Sequence, residues 1–300
     1  MFEADKNTFL QITVILPAYL SEESDPRYRL SVSSGFCRLK TNEKIVEIMN
    51  QTARYQLTIL IPVYNEEDNM DALEQSLSAF LPSSSYPACV LFINDGSTDQ
   101  SLRRIREICG RKKDFFYLSL QRNGGLSAAL KAGIDRVESP YVGYMDADLQ
   151  TDPEDFNRLL SYLPAYDLVT GIRADRKDSS FKKFQSRIAN SFRRAFTHDG
   201  IQDTGCPLKV LHTSCAKRIP FFKGMHRFLP ALVRLQEGTI KQVPVRHYSR
   251  MAGQSKYHLW NRLGAPFMDC LAYRWMKKRY IRYQVESQNV DSEQRHAQAV

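Results

Sequence analysis

From Leu57 onward the chain alternates short apolar runs with amphipathic stretches. LTILIPV (57–63) is apolar almost throughout and rich in β-branched residues, the pattern of a strand covered on both faces. ACVLFIN (88–94), FFYLSL (115–120), YVGYM (141–145) and DLVTGI (167–172) read the same way. Helical patterns lie between them at 67–80, 98–109, 126–138 and 154–163. Ser97 and Thr98 are candidate N-caps for the second, and Pro153 stands near the first turn of the fourth. Strands alternating with helices at this spacing predict an α/β fold with a mostly parallel sheet flanked by helices on both faces.

Beyond residue 180 the rhythm changes. Phe181, Phe184, Ile188, Phe192 and Phe196 form an apolar stripe among basic residues, which predicts an amphipathic helix. A short strand at 207–211, a helix at 226–237 and a strand at 239–247 follow. The last aromatic segment, 256–283, mixes Tyr257, Trp260, Phe267, Tyr273 and Trp275 with Arg and Lys. This divides the chain into an N-terminal extension (1–50), a catalytic domain (51–250), a basic aromatic helical tail (251–285) and a polar tail (286–300). ITVILPAY (12–19) echoes LTILIPVY (57–64) without a second domain's worth of sequence, so 1–48 reads as an arm or as a start placed upstream of Met49.

The net charge of +9 changes the picture through its distribution. Residues 201–300 hold 17 Lys+Arg against 6 Asp+Glu, whereas the first 200 residues are nearly balanced. An anionic partner for the last third follows: phosphate or an anionic lipid surface. Nucleic acid is set aside, because no recognition module accompanies the charge. Six scattered cysteines lack metal-ligand spacing and read as reduced thiols of a cytosolic protein. No apolar stretch reaches the ~20 residues of a membrane-spanning helix.

The familiar Gly-rich phosphate loops, GxSxG and HExxH are absent. Polar residues instead collect at strand ends: PVYNEE (62–67), NDGSTD (94–99), MDADLQ (145–150) and GIRADR (171–176). In open α/β sheets the carboxyl ends of the strands form the ligand crevice. Asp146 and Asp148, two carboxylates one residue apart, repel each other unless a cation is shared, and oxygen-only donors suit Mg²⁺ or Mn²⁺. The competing reading is a pair of solvated turn caps.

These strings, with RNGGLSAALKAGI, SRIANSF, DTGCPLKV, MHRFLPALV and VRHYSRMAGQSKY, stand in an order that resembles family 2 glycosyltransferases of the GT-A, Rossmann-like fold. HRFLPAL and RxxGxSKY bring the resemblance closer to the polyprenyl-phosphate branch. The resemblance covers 57–262 and implies inverting transfer of a sugar from a UDP- or GDP-linked donor to a polyprenyl monophosphate. It implies that Pro62, Tyr64, Glu66 and Asp95 line the donor nucleoside pocket, with Asp146 on the donor. Asn94 stands where many relatives carry a second Asp. Asp146, Asp148 and Gln150 would hold the metal, and Asp148 and Arg173 take the catalytic positions. Arg173, Arg187, Ser191 and Arg250, with Lys256 as an extra contact, would bind the acceptor phosphate.

Asp203 reads either as an acceptor contact or as a turn cap, and His226–Arg227 either as an acceptor contact or as a helix start. The resemblance also implies peripheral attachment at the inner face of the cytoplasmic membrane. There the basic aromatic tail would meet anionic lipid, pack on the domain, or meet a membrane-anchoring protein. A saccharide or other non-lipid acceptor is the alternative chemistry.

Overall fold

The computed structural model describes residues 43–173, 193, 196, 197, 199–248 and 264–282. Helix α1 (Glu43–Thr52) precedes β1 (Leu57–Val63), α2 (Met70–Phe80) and β2 (Ala88–Asn94). Then come α3 (Ser101–Arg111), β3 (Phe115–Ser119), α4 (Leu126–Ile134), β4 (Tyr141–Tyr144), α5 (Asp155–Leu160) and β5 (Leu168–Arg173). After the segment that is not described, β6 (Lys209–His212), α6 (Thr213–Arg218), α7 (Leu229–Leu235), β7 (Ile240–Val245) and α8 (Gly264–Arg279) complete the order. Helices α1 and α6 were not expected from the periodicity.

The strands form one sheet in the order β3-β2-β1-β4-β6-β5-β7. β6 runs antiparallel to both β4 and β5, and every other pairing is parallel. The expected mostly parallel α/β sheet is therefore present, with one reversed strand inside it. β1 lies between β2 and β4, so the chain leaves it in both directions and opens a crevice at the carboxyl ends of β1 and β4.

Strand alternation builds two cores. Ile59, Ile61, Val63, Val90 and Phe92 pack with Met70, Leu73, Leu77, Ile105, Ile108 and Phe156 from α2, α3 and α5. Leu60, Leu91 and Ile93 face the other way, against Leu130 and Ile134 of α4, Ala216 of α6 and Leu229 and Leu232 of α7. Both faces are covered, so β1 and β2 need apolar residues at nearly every position. This second face also takes Cys270 and Tyr273 of α8, and the Tyr273 hydroxyl donates to the Ala231 carbonyl at 3.2 Å.

The start of α3 differs from expectation for a physical reason. α3 starts at Ser101, not at 98, and neither Ser97 nor Thr98 caps it. Those side chains are turned instead toward the loop after β1. Five cysteines (89, 109, 206, 215 and 270) are free thiols. Among the described residues no helix is long and apolar enough to cross a membrane.

Candidate active site at the carboxyl edge of the sheet

The loops leaving β1 and β2 are laced together. Asn65, with φ of 54°, donates its backbone N–H to Ser97 Oγ (3.1 Å), and its side-chain carbonyl accepts the Thr98 N–H (2.8 Å). The Glu66 N–H donates to Ser101 Oγ (2.9 Å), and the Glu67 carboxylate accepts the Gln100 N–H (2.6 Å). These bonds hold Tyr64 and Glu66 beside the end of β2. Pro62 is in register with Ile93 one step earlier.

Asp95, only 4% exposed, is the hub of the next layer. Its carboxylate accepts the N–H groups of Gly124 and Gly125, each at 2.8 Å, and the Asn123 side-chain amide at 3.0 Å. The turn can come this close because position 96 is glycine. A Cβ there would lie 2.5 Å from the backbone of Arg122 and Asn123, and φ is +68°. Asp95 thus shapes the entry to α4 through three hydrogen bonds to its side chain.

At the end of β4, Asp146 accepts the Tyr144 hydroxyl at 2.5 Å. Asp148 is nearly buried, and its carboxylate accepts the Gln150 N–H (3.2 Å), so a capped turn does form here. Leu149 has φ of 58°, an uncommon backbone state that redirects the chain toward Gln150. Gln150 is tied to the segment after β7: the Tyr248 N–H donates to its carbonyl at 2.9 Å. Arg246 reinforces the connection through its N–H on Asp155 (2.6 Å) and its guanidinium 3.0 Å from Asp152.

At the β5 and β6 edge, Arg173 and Asp203 form a two-pronged pair, Nε–Oδ2 and Nη2–Oδ1 each 2.8 Å. Asp203 also accepts the Gly205 N–H (3.1 Å), the turn-cap alternative of the sequence reading. Lys209 is buried, and its ammonium donates to the Cys206 carbonyl and stands 5.8 Å from the centre of the Tyr144 ring. Burial pulls its pKa down, while Cys206, Asp203 and Asp146 pull it back up.

The half-buried His226 bonds through Nδ1 to Ser127 Oγ at 2.9 Å, and the Gly224 N–H donates to the same hydroxyl at 3.1 Å. Burial, with Arg227 and Lys209 adding to it, pushes the imidazole down to about 3, so it is neutral at pH 7.

One edge therefore gathers Pro62, Tyr64, Glu66, Asp95, Asp146, Asp148, Gln150 and Arg173. Arg187, Ser191, Arg250 and Lys256 lie outside the described residues. Sequence reasoning did not single out Tyr144, Asn123 or Lys209. Lys209 had one signal: a lysine inside the apolar KVLH strand, which must face something polar when buried.

Among the described residues no three His, Cys, Asp or Glu side chains converge as a metal cage. Two carboxylates and an amide oxygen fit Mg²⁺ or Mn²⁺ only where phosphates complete the shell, the usual arrangement for these ions at nucleotide sites. Asp146, Asp148 and Gln150 carry donor atoms of that oxygen-only type.

The sequence model of Glycosyl transferase family 2 matches residues 58–221. Dodecaprenyl-phosphate galacturonate synthase of Rhizobium johnstonii is 35% identical over 208 residues, 67% of this chain and 62% of that protein. Undecaprenyl-phosphate 4-deoxy-4-formamido-L-arabinose transferase of Edwardsiella ictaluri is 33% identical over 205 residues, 68% of this chain and 63% of that protein. The matched part of the chain thus spans somewhat under two thirds of these relatives.

Among solved structures, glucosyl-3-phosphoglycerate synthase from Mycobacterium tuberculosis, in complex with Mn²⁺, UDP and glucosyl-3-phosphoglycerate, superposes with a TM-score of 0.56. Its identity is 15%, and the match covers 78% of this chain and 83% of that one. A mannosyltransferase from Pyrobaculum calidifontis with GDP-Man and Mn²⁺ gives 0.54 at 16% identity, over 77% and 66% of the two chains. At these identities the likeness is one of fold, the GT-A-like arrangement expected from the sequence.

Proposed function

Because the chain belongs to glycosyl transferase family 2, we propose that it moves a sugar from a UDP- or GDP-linked donor to a polyprenyl monophosphate. The observation that carries this reading is the placement of Asp95, Asp146, Asp148 and Arg173 at or just after the carboxyl ends of β2, β4 and β5, all on the one edge of the sheet where β1 and β4 part. The relatives named for dodecaprenyl and undecaprenyl phosphate support the choice of acceptor.

The reaction makes a bond from an acceptor phosphate oxygen to the anomeric carbon and breaks the bond from that carbon to the nucleoside diphosphate, which leaves with the electron pair. Attack from the face opposite the leaving group inverts the anomeric configuration. A phosphate monoester has a second pKa near ~6, so at pH 7 the acceptor is already mostly dianionic and needs no general base. The neutral His226 is then not required to take a proton.

Tyr64, Glu66 and the turn held by Asp95 position the nucleoside. Arg173 binds the acceptor phosphate while Asp203 holds two of its five N–H donors in a fixed plane, which orients the guanidinium before substrate arrives. The resemblance to the polyprenyl-phosphate branch makes Arg187, Ser191, Arg250 and Lys256 the further acceptor-phosphate contacts of this proposal. Bound at Asp146, Asp148 and Gln150, Mg²⁺ or Mn²⁺ supplies charge neutralisation for the departing diphosphate.

The enzyme works at a membrane surface. On α8, Phe267, Met268, Leu271 and Trp275 are exposed, the last by 64%, beside Arg274, Lys277, Lys278 and Arg279. A helix with aromatic and basic residues on its outer side suits an anionic headgroup layer.

The deciding experiment incubates the protein with Mn²⁺ or Mg²⁺, undecaprenyl phosphate in detergent and a panel of labelled UDP- and GDP-sugars, followed by organic extraction. Label in the lipid phase with one donor, lost with EDTA, is the expected result. Donor turnover without labelled lipid overturns the acceptor and keeps the donor chemistry.

A further inference from the structure

We propose that Tyr144 is a positioning residue for the divalent cation, its buried phenolic O–H fixing the orientation in which Asp146 meets the ion. The inference rests on the metal role given to Asp146 above.

β4 ends at Tyr144, and two residues on, the Asp146 carboxylate folds back to accept the Tyr144 hydroxyl. β4 and β6 are antiparallel, with Tyr144 opposite Lys209 in register. Side chains directly opposite share a face and touch. Lys209, Tyr144 and Asp146 are therefore linked in a row, with the Tyr144 ring on the face that α4 and α7 cover. Lys209 stands sixty-three positions after Asp146 in the chain. Only the insertion of β6 beside β4 assembles the row.

The hydroxyl is the informative atom. Tyr144 is 6% exposed and its ring belongs to an apolar core, where a phenylalanine would fill the same space. A buried phenol needs a polar partner, and here that partner is a carboxylate at the lip of the crevice, 2.5 Å away. Hydrogen bonds from a hydroxyl to a carboxylate are of the stronger, charge-assisted kind.

Free carboxylates turn easily about their last torsion, which has a broad two-fold profile. The Tyr144 bond selects one setting of Asp146. Lys209 in turn steadies the ring: its ammonium stands 5.8 Å from the ring centre and is itself anchored on the Cys206 carbonyl. Outer partners of this kind commonly govern metal affinity by ~10–100-fold.

The test measures Mn²⁺ binding directly, by the EPR signal of free Mn²⁺, in the full-length chain with saturating UDP or GDP. Tyr144→Phe is expected to weaken Mn²⁺ binding about 10-fold. The Mn²⁺ concentration giving half-maximal transfer rises by the same factor, while the rate at saturating Mn²⁺ recovers. Nucleotide binding in EDTA and the melting temperature stay as in the wild type.

If Tyr144→Phe binds Mn²⁺ as the wild type does while Asp146→Asn has lost it, the positioning role is overturned and the metal site stands. A wild type that binds no Mn²⁺ overturns the metal reading and this inference with it. Should the Phe variant not fold, Mg²⁺ is titrated into wild-type protein carrying tyrosine labelled with ¹³C at Cζ. A buried tyrosine resonance that moves with Mg²⁺ occupancy is expected, and its absence overturns the proposal.

Discussion

Arg173 at the end of β5 and Asp203 before β6 are locked by two parallel N–H···O bonds of 2.8 Å, with both side chains largely shielded from water. The Arg173 backbone N–H adds a third bond to the same carboxylate at 3.2 Å. A residue expected to await the acceptor phosphate thus enters the site already oriented by a neighbour thirty positions along the chain.

Replacing Asp203 removes that orientation and strands a mostly buried guanidinium. Asp203→Ala is expected to destabilise the fold by about 3 kcal/mol, the range for breaking one side of a buried pair. Urea unfolding measures the loss, and a midpoint unchanged from wild type would show that the pair is not formed in solution.

Asp95 holds the turn at 123–125 by three hydrogen bonds. Asp95→Ala leaves the Gly124 and Gly125 N–H groups without their acceptor, at a cost of about 2 kcal/mol. Nucleotide affinity should fall with it, read by calorimetry with UDP and GDP. A variant that keeps full nucleotide affinity would confine Asp95 to a structural role.

Asp148→Asn keeps the size of the side chain and removes its charge. Transfer should drop by roughly 100-fold or more and should not be restored by excess Mn²⁺, as expected when a ligand of a charge-neutralising ion is lost. EDTA should silence the wild type, and readdition of Mn²⁺ should restore it. Activity that survives EDTA would remove the metal from the reaction.

His226 makes stability depend on pH in a predictable direction. Its folded pKa, about 3, lies below the ordinary value of 6.5, so the unfolded chain binds a proton that the folded one refuses. Stability from this group is complete above pH 6.5 and is lost as pH falls from there toward 3. Between pH 7 and pH 5 the loss should be about 1–2 kcal/mol, and it should be absent in His226→Gln. Unfolding curves at the two pH values, for both proteins, check the difference.

The outer side of α8 should carry membrane affinity. Lys277, Lys278 and Arg279 are exposed, and each basic residue near an anionic surface contributes about 1 kcal/mol. Changing all three to Gln should lower binding to phosphatidylglycerol vesicles by about 100-fold, measured by flotation. Equal binding of the variant would locate the contact elsewhere.

Much of this molecule was legible from one-dimensional pattern. β1 and β2 occupy the residues expected of them, 57–63 and 88–94, because a strand buried on both faces must be apolar nearly throughout. The polar strings that follow the strands mark the crevice for the same reason: the apolar run ends where the sheet edge meets solvent. The helix expected at 126–138 stops at Ile134, and the one expected at 154–163 breaks at Leu160 before a short turn of 3₁₀ helix at Leu163–Ala165. Periodicity cannot see these ends, which local backbone hydrogen bonds decide.

What the sequence by itself determined was the alternation of elements, the two-sided burial of the central strands and the edge at which chemistry collects. Tertiary structure alone decided which polar groups meet there. Asp95 is taken up by a turn nearly thirty residues away, Arg173 by Asp203, and Tyr144 by Lys209 across a reversed strand. Each contact depends on strand order and register, which are set by how whole faces pack together. A window of neighbouring residues carries no record of them.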